Sequence, residues 1–146
     1  METPQKTPAE LFAAQALASQ VKKELTENIL PYWMGKMTNP DGGFYGRIDG
    51  LENLDPESPV GNIMTARMLW TFASAYRLLG NQEYLDMALR AKDFIISNFY
   101  DPELGGTYWS LSSDGTPLDT KKQIYAIAFT IYGLAELNRA TGDGQA

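Results

Sequence analysis

The 146 residues of this chain include no cysteine and no histidine. Without cysteine there is no disulfide and no thiolate metal site, which fits a reducing compartment. Without histidine there is no neutral imidazole to act as a general base or as a metal ligand. The chain by itself therefore lacks the side chain that enzymes use most often for proton transfer.

Long apolar runs and clusters of positive charge are missing as well. The longest uncharged apolar stretch, residues 124–135, is too short to cross a bilayer, and the N-terminus lacks the core of a signal peptide. Lysine and arginine are scattered and the net charge is −6, so no basic face is available for nucleic acid. We expect a soluble cytoplasmic protein that binds neither nucleic acid nor membranes.

An internal repeat is the most informative feature that is present. Residues 42–50 read GGFYGRIDG and residues 105–115 read GGTYWSLSSDG, so the double glycines start 63 positions apart. Each block precedes a helical pattern that ends at a glycine, Gly80 in the first case and Gly142 in the second. A repeat of this length predicts supersecondary units that bury their apolar faces by stacking on one another.

Apolar residues recur at helical spacing in four segments. They predict helices at about 8–33, 58–79, 82–99 and 119–141, with an ordered loop at 35–58 that contains a short hairpin at 43–48. The first helix opens with a capping pattern at Thr7, Pro8 and Glu10.

The four helices alternate in character. The first and third have a charged face, whereas the second and fourth are apolar nearly all round. This alternation predicts an all-α, double-shelled ring with the odd helices outside and the double-glycine loops at one end, where binding residues are expected. A ring of six such hairpins needs roughly 370 residues. Residues 1–146 are therefore expected to form the N-terminal part of a single barrel domain, with about four of its twelve helices.

Arg67 and Tyr125 are the strongest candidates for a functional site. Arg67 lies within an inner helix, and a guanidinium keeps its charge, so it needs a partner or a wet cavity there. One interpretation is an ion pair with Asp119 or Glu52, and the other is a cation aimed at an oxyanion. Tyr125 follows Arg67 at close to one repeat, which predicts a similar depth in the same cavity. The alternative interpretation of Tyr125 is a core residue whose hydroxyl is hydrogen-bonded to the backbone.

Aromatic side chains are expected at the cavity mouth, where they suit sugar rings or pack beneath the loops. They are Phe44, Tyr45, Tyr108 and Trp109. The glycine blocks do not form a phosphate loop, and no calcium-loop spacing is present. No pair of carboxylates can be assigned to glycoside hydrolysis. The sequence therefore predicts no metal and no cofactor.

Four motifs together carry a family resemblance. They are GGFYG at 42–46, ARMLWTF at 66–72, GGTYW at 105–109 and KxxYxxAFxIY at 122–132. In this order and spacing the chain resembles, over about residues 20–142, the N-terminal part of cellobiose 2-epimerases in the N-acylglucosamine 2-epimerase superfamily. The resemblance implies an (α/α)6 barrel and an enzyme that epimerises the reducing-end sugar of β-1,4-linked disaccharides at C2. It also implies that no cofactor takes part.

The resemblance further implies roles for individual residues. In that family one histidine removes the C2 proton of the open-chain sugar to give a cis-enediolate, and a second histidine returns a proton to the other face. Arg67 matches the arginine that contacts the sugar oxygens near C1 and C2, Tyr125 matches a tyrosine of the same pocket, and Phe129 lies in the same motif and is assigned to substrate binding. The family's histidines lie in later hairpins, so we expect the isolated chain to be inactive.

Other functions remain open from sequence. Within enzymes the alternatives on the same fold are an N-acylglucosamine 2-epimerase and a mannose isomerase. Outside catalysis, the alternative is a short protein that binds sugar or closes a ring from several copies.

Overall fold

The structure, a computed structural model, describes residues 7–142 of the chain. They fall into two compact units divided after Lys36. The first unit is helical: α1 spans Pro8–Glu24, a wider π-helical turn covers Leu25–Ile29, and α2 spans Leu30–Lys36. The predicted capping box is confirmed, since the Glu10 N–H donates to Thr7 Oγ1 and the Thr7 N–H donates to Glu10 Oε2.

The first helical stretch continues beyond its predicted end near Trp33, to Lys36. The π-helical turn lies just before Pro31, whose ring nitrogen has no hydrogen to donate to the preceding turn. A wider turn of this kind is a common way for a helix to pass such a position. The predicted helix at 8–33 already included Pro31, and the structure extends the helical stretch to Lys36.

The second unit contains three helices and five very short strands. The helices are α3 at Asn62–Leu79, α4 at Gln82–Phe94 with a π-helical turn at Ile95–Phe99, and α5 at Ile124–Thr141. The strands are β1 at Arg47–Ile48, β2 at Leu54–Asp55, β3 at Val60–Gly61, β4 at Ser110–Leu111 and β5 at Pro117–Asp119. β1 pairs with β2, and β3, β4 and β5 form an antiparallel sheet in that order.

These strands correct three predicted boundaries. Helix α3 begins at Asn62 and not at 58–59, because Val60 and Gly61 pair with β4. Helix α5 begins at Ile124 and not near 119–120, because Pro117–Asp119 pairs with the other edge of β4. The hairpin predicted at 43–48 instead joins 47–48 to 54–55. Strands this short cannot produce an alternating sequence pattern.

The predicted repeat is present in three dimensions. Helices α3 and α5 have the same length, start one repeat apart, and end at Gly80 and Gly142 in the left-handed conformation. The isolated bridge between Thr38 and Phe44 recurs one repeat later, between Tyr100 and Thr107. The two halves of the second unit are therefore built from the same structural element.

α3 packs against both α4 and α5. Phe72 of α3 faces Tyr84 of α4, with ring centroids 6.4 Å apart. On the other side, a Cβ added to Gly133 of α5 would lie 2.8 Å from the carbonyl oxygen of Ala66, so the two backbones approach too closely for any side chain there. The expected all-round burial holds for most of α3.

One face of α5 differs from that expectation. Its apolar side chains are largely exposed, including Ile124, Tyr125 and Ile131. An apolar helix face of this size is rarely exposed to water on a complete folded domain. None of the helices in the described part of the chain is long and apolar enough to span a membrane.

A buried carboxylate joins the far ends of α3 and α5. Glu136 accepts hydrogen bonds from Ser74 Oγ at 2.9 Å and from Arg77 Nε at 2.7 Å, and Arg139 lies nearby. Burial raises the pKa of Glu136, but the hydrogen bonds from Arg77 and Ser74 and the charges of the two arginines outweigh it. The pKa of Glu136 is therefore held below its ordinary value.

We predict that Gly133→Ala destabilises the fold by about 1–3 kcal/mol, because the added methyl group overpacks the α3–α5 contact. Gly35→Ala is the matched control, since a Cβ at Gly35 meets nothing within 4 Å. That change should be neutral or stabilising by up to about 1 kcal/mol through helix propensity. Urea unfolding followed by tryptophan fluorescence measures both. Equal effects of the two substitutions would contradict the close packing of α3 and α5.

A second prediction concerns pH. A depressed folded pKa gives stability that is present above the ordinary value of 4.5 and is lost as the pH falls through the folded pKa. At pH 7 we expect Glu136→Gln to cost about 1.5–3 kcal/mol, the range for hydrogen bonds to a charged group. The difference from wild type should shrink towards pH 3 in urea unfolding. Glu103→Gln, which alters an exposed carboxylate, is the control, and a difference for Glu136→Gln that is constant with pH would contradict this assignment.

Candidate functional site

The two double-glycine loops have the same backbone hydrogen bonds. In the first loop the Asn39 N–H donates to the Gly43 carbonyl, and in the second the Asp101 N–H donates to the Gly106 carbonyl. Gly43 and Gly106 both have positive φ angles, +61° and +72°, which explains why glycine recurs at this position. In the chain the first loop lies between α2 and α3, and the second lies between the π-helical turn after α4 and α5.

Each loop is held by a cation, and the cations come from different places. Arg90 of α4 donates to the carbonyls of Asn39 and Gly43 in the first loop. Lys122 holds the second loop: its Nζ donates to Asp101 Oδ2 and to the Gly105 carbonyl, both at 2.7 Å. These two cations are structural, and neither is available as a free charge for a ligand.

Asp101 connects the second loop to Lys122. Its Oδ1 accepts from the N–H groups of Glu103 and Leu104, while Oδ2 accepts from Lys122. The hydrogen bond from Lys122, with those from the two N–H groups, outweighs burial and lowers the pKa of Asp101. No role in the site was predicted for Asp101 from the sequence. The available signal was an acidic residue four positions before the double glycine.

Trp109 is hydrogen-bonded to the start of α3 and to strand β5. Its carbonyl accepts from the N–H of Asn62, the first residue of α3, and its own N–H donates to the Asp119 carbonyl of β5. The indole is half-buried, and Lys121 Nζ lies 4.8 Å from its ring centroid. The role of Trp109 at a cavity mouth stays a prediction.

Arg67 is exposed, on a helix that is otherwise largely buried. Among the described residues no carboxylate pairs with it, and Asp119 pairs instead with Lys121 at 2.9 Å. The ion-pair interpretation of Arg67 is therefore wrong for residues 7–142. Arg67 precedes Phe72 by five positions and so lies about 140° round the helix from it, on the side turned away from α4.

A continuous row of aromatic rings lies along α5 and reaches α3. In order, its members are Tyr125, Phe129, Tyr132 and Trp70. Neighbouring centroids are 5.0, 6.3 and 5.1 Å apart, and the last pair is stacked with 10° between the ring planes. Trp70 is one turn beyond Arg67 on α3, so the guanidinium and the aromatic row share one side of the α3–α5 pair.

Tyr125 and Phe129, with Ala128 and Tyr132, line an open hollow of about 380 Å³. Tyr125 is 62% exposed, and no hydrogen bond to its hydroxyl is found in the described part of the chain. The interpretation of Tyr125 as a core residue is therefore wrong. Its ring is available to a ligand or to another helix.

The expected equal depth of Arg67 and Tyr125 needs correction. When α3 and α5 are aligned at their first residues, Arg67 corresponds to Phe129, and Tyr125 corresponds to Ile63. The two candidates thus differ by one helical turn, about 6 Å along the axis. Their spacing in the sequence was too coarse a guide to show this difference.

The remaining predicted residues are divided between the core and the surface. Phe44 is only 1% exposed, so its ring offers no surface to a ligand, and burial favours the packing interpretation. Tyr45 is half-buried, with its N–H donating to the Met37 carbonyl. Within residues 7–142, no group of three or more potential acidic metal ligands comes together.

These residues can contact a ligand, but the chain offers no imidazole for proton transfer. It offers an uncommitted guanidinium beside exposed aromatic rings, a combination that suits a ligand with oxygen atoms and an apolar ring face. The chain has no histidine to move a proton at carbon.

Sequence comparison finds similar proteins among sugar epimerases. The sequence model of the N-acylglucosamine 2-epimerase (GlcNAc 2-epimerase) family matches residues 43–146. A cellobiose 2-epimerase from Bacteroides fragilis is 59% identical over 133 residues, which are 90% of this chain and 34% of the relative. One from Ruminococcus albus is 44% identical over 131 residues, 89% of this chain and 33% of the relative. The chain thus spans about a third of the length of the curated relatives that it matches.

Solved structures give the same result for the fold. The cellobiose 2-epimerase of Spirochaeta thermophila superposes with a TM-score of 0.86 at 38% identity, over 96% of this chain and 34% of that one. A D-mannose isomerase at 23% identity, with a TM-score of 0.71, shows the shared fold alone. The predicted helical hairpins of an (α/α)6 barrel are confirmed, with about four of its twelve helices in this chain. With its repeat, its helices and the match over residues 43–146, the chain belongs to the N-acylglucosamine 2-epimerase family.

Proposed function

We propose that this chain is the N-terminal part of a sugar 2-epimerase of the cellobiose 2-epimerase type. The observation that carries the proposal is the free guanidinium of Arg67, beside exposed aromatic rings, in a chain 59% identical to such an enzyme over 90% of its length. The substrate is a β-1,4-linked disaccharide, and the reaction is epimerisation of its reducing-end sugar at C2. The absence of cysteine fits work in a reducing compartment such as the cytoplasm.

The chemistry gives Arg67 a clear role in this proposal. Breaking the C2–H bond of the open-chain sugar leaves its electron pair to form a C1–C2 double bond, and negative charge moves to the C1 oxygen. The product of this step is a cis-enediolate, and a proton added to the opposite face of C2 gives the epimer. A fixed cation near these oxygens stabilises the developing charge, and one good donor is worth about 3–4 kcal/mol.

The aromatic residues bind the sugar rings in this proposal. Tyr125 supplies a hydroxyl, Phe129 and Trp109 supply ring faces, and Tyr45 contributes from the first loop. The groups that remove and return the proton lie outside this chain, because it has no imidazole. This part of the protein therefore supplies binding and charge stabilisation.

The exposed face of α5 supports the proposal that these hairpins belong to a larger single domain. Gly133 of α5 packs on Ala66 and Leu69 of α3. The repeat equivalents of these α3 residues are Ala128 and Ile131, which are exposed on α5. We infer that a further inner helix covers Ala128 and Ile131 as α5 covers α3.

We predict that the isolated 146-residue chain does not epimerise cellobiose above a denatured control, whereas a hybrid does. The hybrid joins this chain to the part of the Bacteroides fragilis relative that follows the matched third. It restores a complete set of helices and supplies histidines. Activity is measured by chromatography of the epimer and by deuterium uptake at C2 in heavy water. Turnover by the isolated chain, or a folded hybrid inactive on every disaccharide tried, would refute the proposal.

In the active hybrid, we predict that Arg67→Ala lowers kcat by more than tenfold and leaves the melting temperature unchanged, because Arg67 has no ion pair to lose among the described residues. Arg77→Ala is the matched control on the same helix. It removes the donor at 2.7 Å from buried Glu136, so it should lower the melting temperature and leave kcat nearly intact at room temperature. Loss of stability without loss of kcat in Arg67→Ala would show a structural role instead.

A further inference from the structure

Comparison of the two double-glycine loops isolates one residue that the repeat does not require. The first loop forms its hydrogen bonds between residues 39 and 43 with Arg90 of α4 donating to its carbonyls, and with no lysine near the start of α3, where Val60 occupies the position equivalent to Lys122. The second loop forms the same bonds but is tied instead to Lys122. A lysine just before the inner helix is therefore not a general requirement of the repeat.

Lys122 makes three contacts with the second loop. Its Nζ donates to Asp101 Oδ2 and to the Gly105 carbonyl, and it lies 4.8 Å from the ring centroid of Tyr108. Gly106 packs against the same region, because a Cβ there would lie 3.2 Å from Ile127 of α5. One side chain thus connects the loop to the residues that lead into α5.

Helix stability does not explain this lysine. A cation just before a helix N-terminus faces the positive end of the helix dipole, which is unfavourable. The N-cap residue of α5, Gln123, makes no side-chain capping hydrogen bond. The start of α5 thus has no side-chain cap, and the charge of Lys122 is compensated by Asp101.

We propose that Lys122 is a positioning residue that fixes the first turn of α5, and with it Tyr125, relative to the second double-glycine loop that carries Trp109. Lys122 itself does not touch the substrate in this proposal. Its effect passes along the short segment of backbone that separates it from Tyr125. The importance of these positions rests on the proposed function, but the coupling itself does not.

The test uses the 146-residue chain and needs no sugar, so its failure is distinguishable from failure of the proposed function. Amide exchange of the Ile127 N–H, which donates to the Gln123 carbonyl at 3.1 Å, reports the first turn of α5. The ring signals of Tyr125 in NMR spectra, assigned with Tyr125→Phe, report its surroundings. The amide of Ala88 in α4 reports global stability.

We expect Lys122→Met to speed exchange at Ile127 by about tenfold and to shift the Tyr125 ring signals, with exchange at Ala88 unchanged. Lys122→Arg keeps the charge and donors and should restore most of the protection. Lys121→Met is the matched control: it removes the same charge one position earlier, from an ion pair with Asp119, and should leave both readouts as in wild type.

Asp101→Asn supplies a second, independent route. Its remaining oxygen can still accept from Glu103 and Leu104, so the turn survives while the ion pair with Lys122 is lost. It should speed exchange at Ile127, and adding it to Lys122→Met should have no further effect. Additive effects, equal changes at Ile127 and Ala88, or no difference between the Lys122→Met and Lys121→Met variants would each overturn the proposal.

Discussion

The close contact between α3 and α5 is the constraint on which the rest of the second unit depends. Residues one repeat apart face each other across it: Trp70 stacks on Tyr132, and Ser74 donates to Glu136. Contacts between equivalent residues require the two helices to run in the same direction and in the same register. This register places Arg67 and Trp70 on the side of the pair that the aromatic row occupies, and it brings both loops to the end where Trp109 lies.

The sequence predicted most of the architecture because its main signals are long. The repeat and the four periodic helices can be recognised even if a boundary is misplaced by a few positions. The predicted helix ends at Gly80 and Gly142 are the observed ones. The starts of α3 and α5 were placed too early, because the short strands before them carry no periodic signal. The depth of Tyr125 was misjudged for a related reason, since one helical turn is smaller than the uncertainty of the repeat spacing.

The candidate site was harder to predict than the fold. Sequence could show that Arg67 is an isolated charge among apolar neighbours, but not whether a carboxylate reaches it. Burial separates the aromatic candidates: Phe44 is in the core, whereas Tyr125 is exposed. The roles of Lys122 and Asp101 depend on the ion pair between them. These two residues are well separated in the chain, and no local sequence pattern predicts such a pair.

The α3–α5 contact joins one face of α3 to a different face of α5, so it is a head-to-tail contact. Each further helix added in the same way leaves one such face uncovered. Repeating such a contact produces a closed ring only if the rotation between successive units divides a full circle into a whole number of steps. For six hairpins the required rotation is about 60° per step. Gly133 allows the two backbones to approach closely, and so it helps to set that angle. A bulkier residue there would alter the curvature of the assembly, and small errors repeated at each step would leave the circle open.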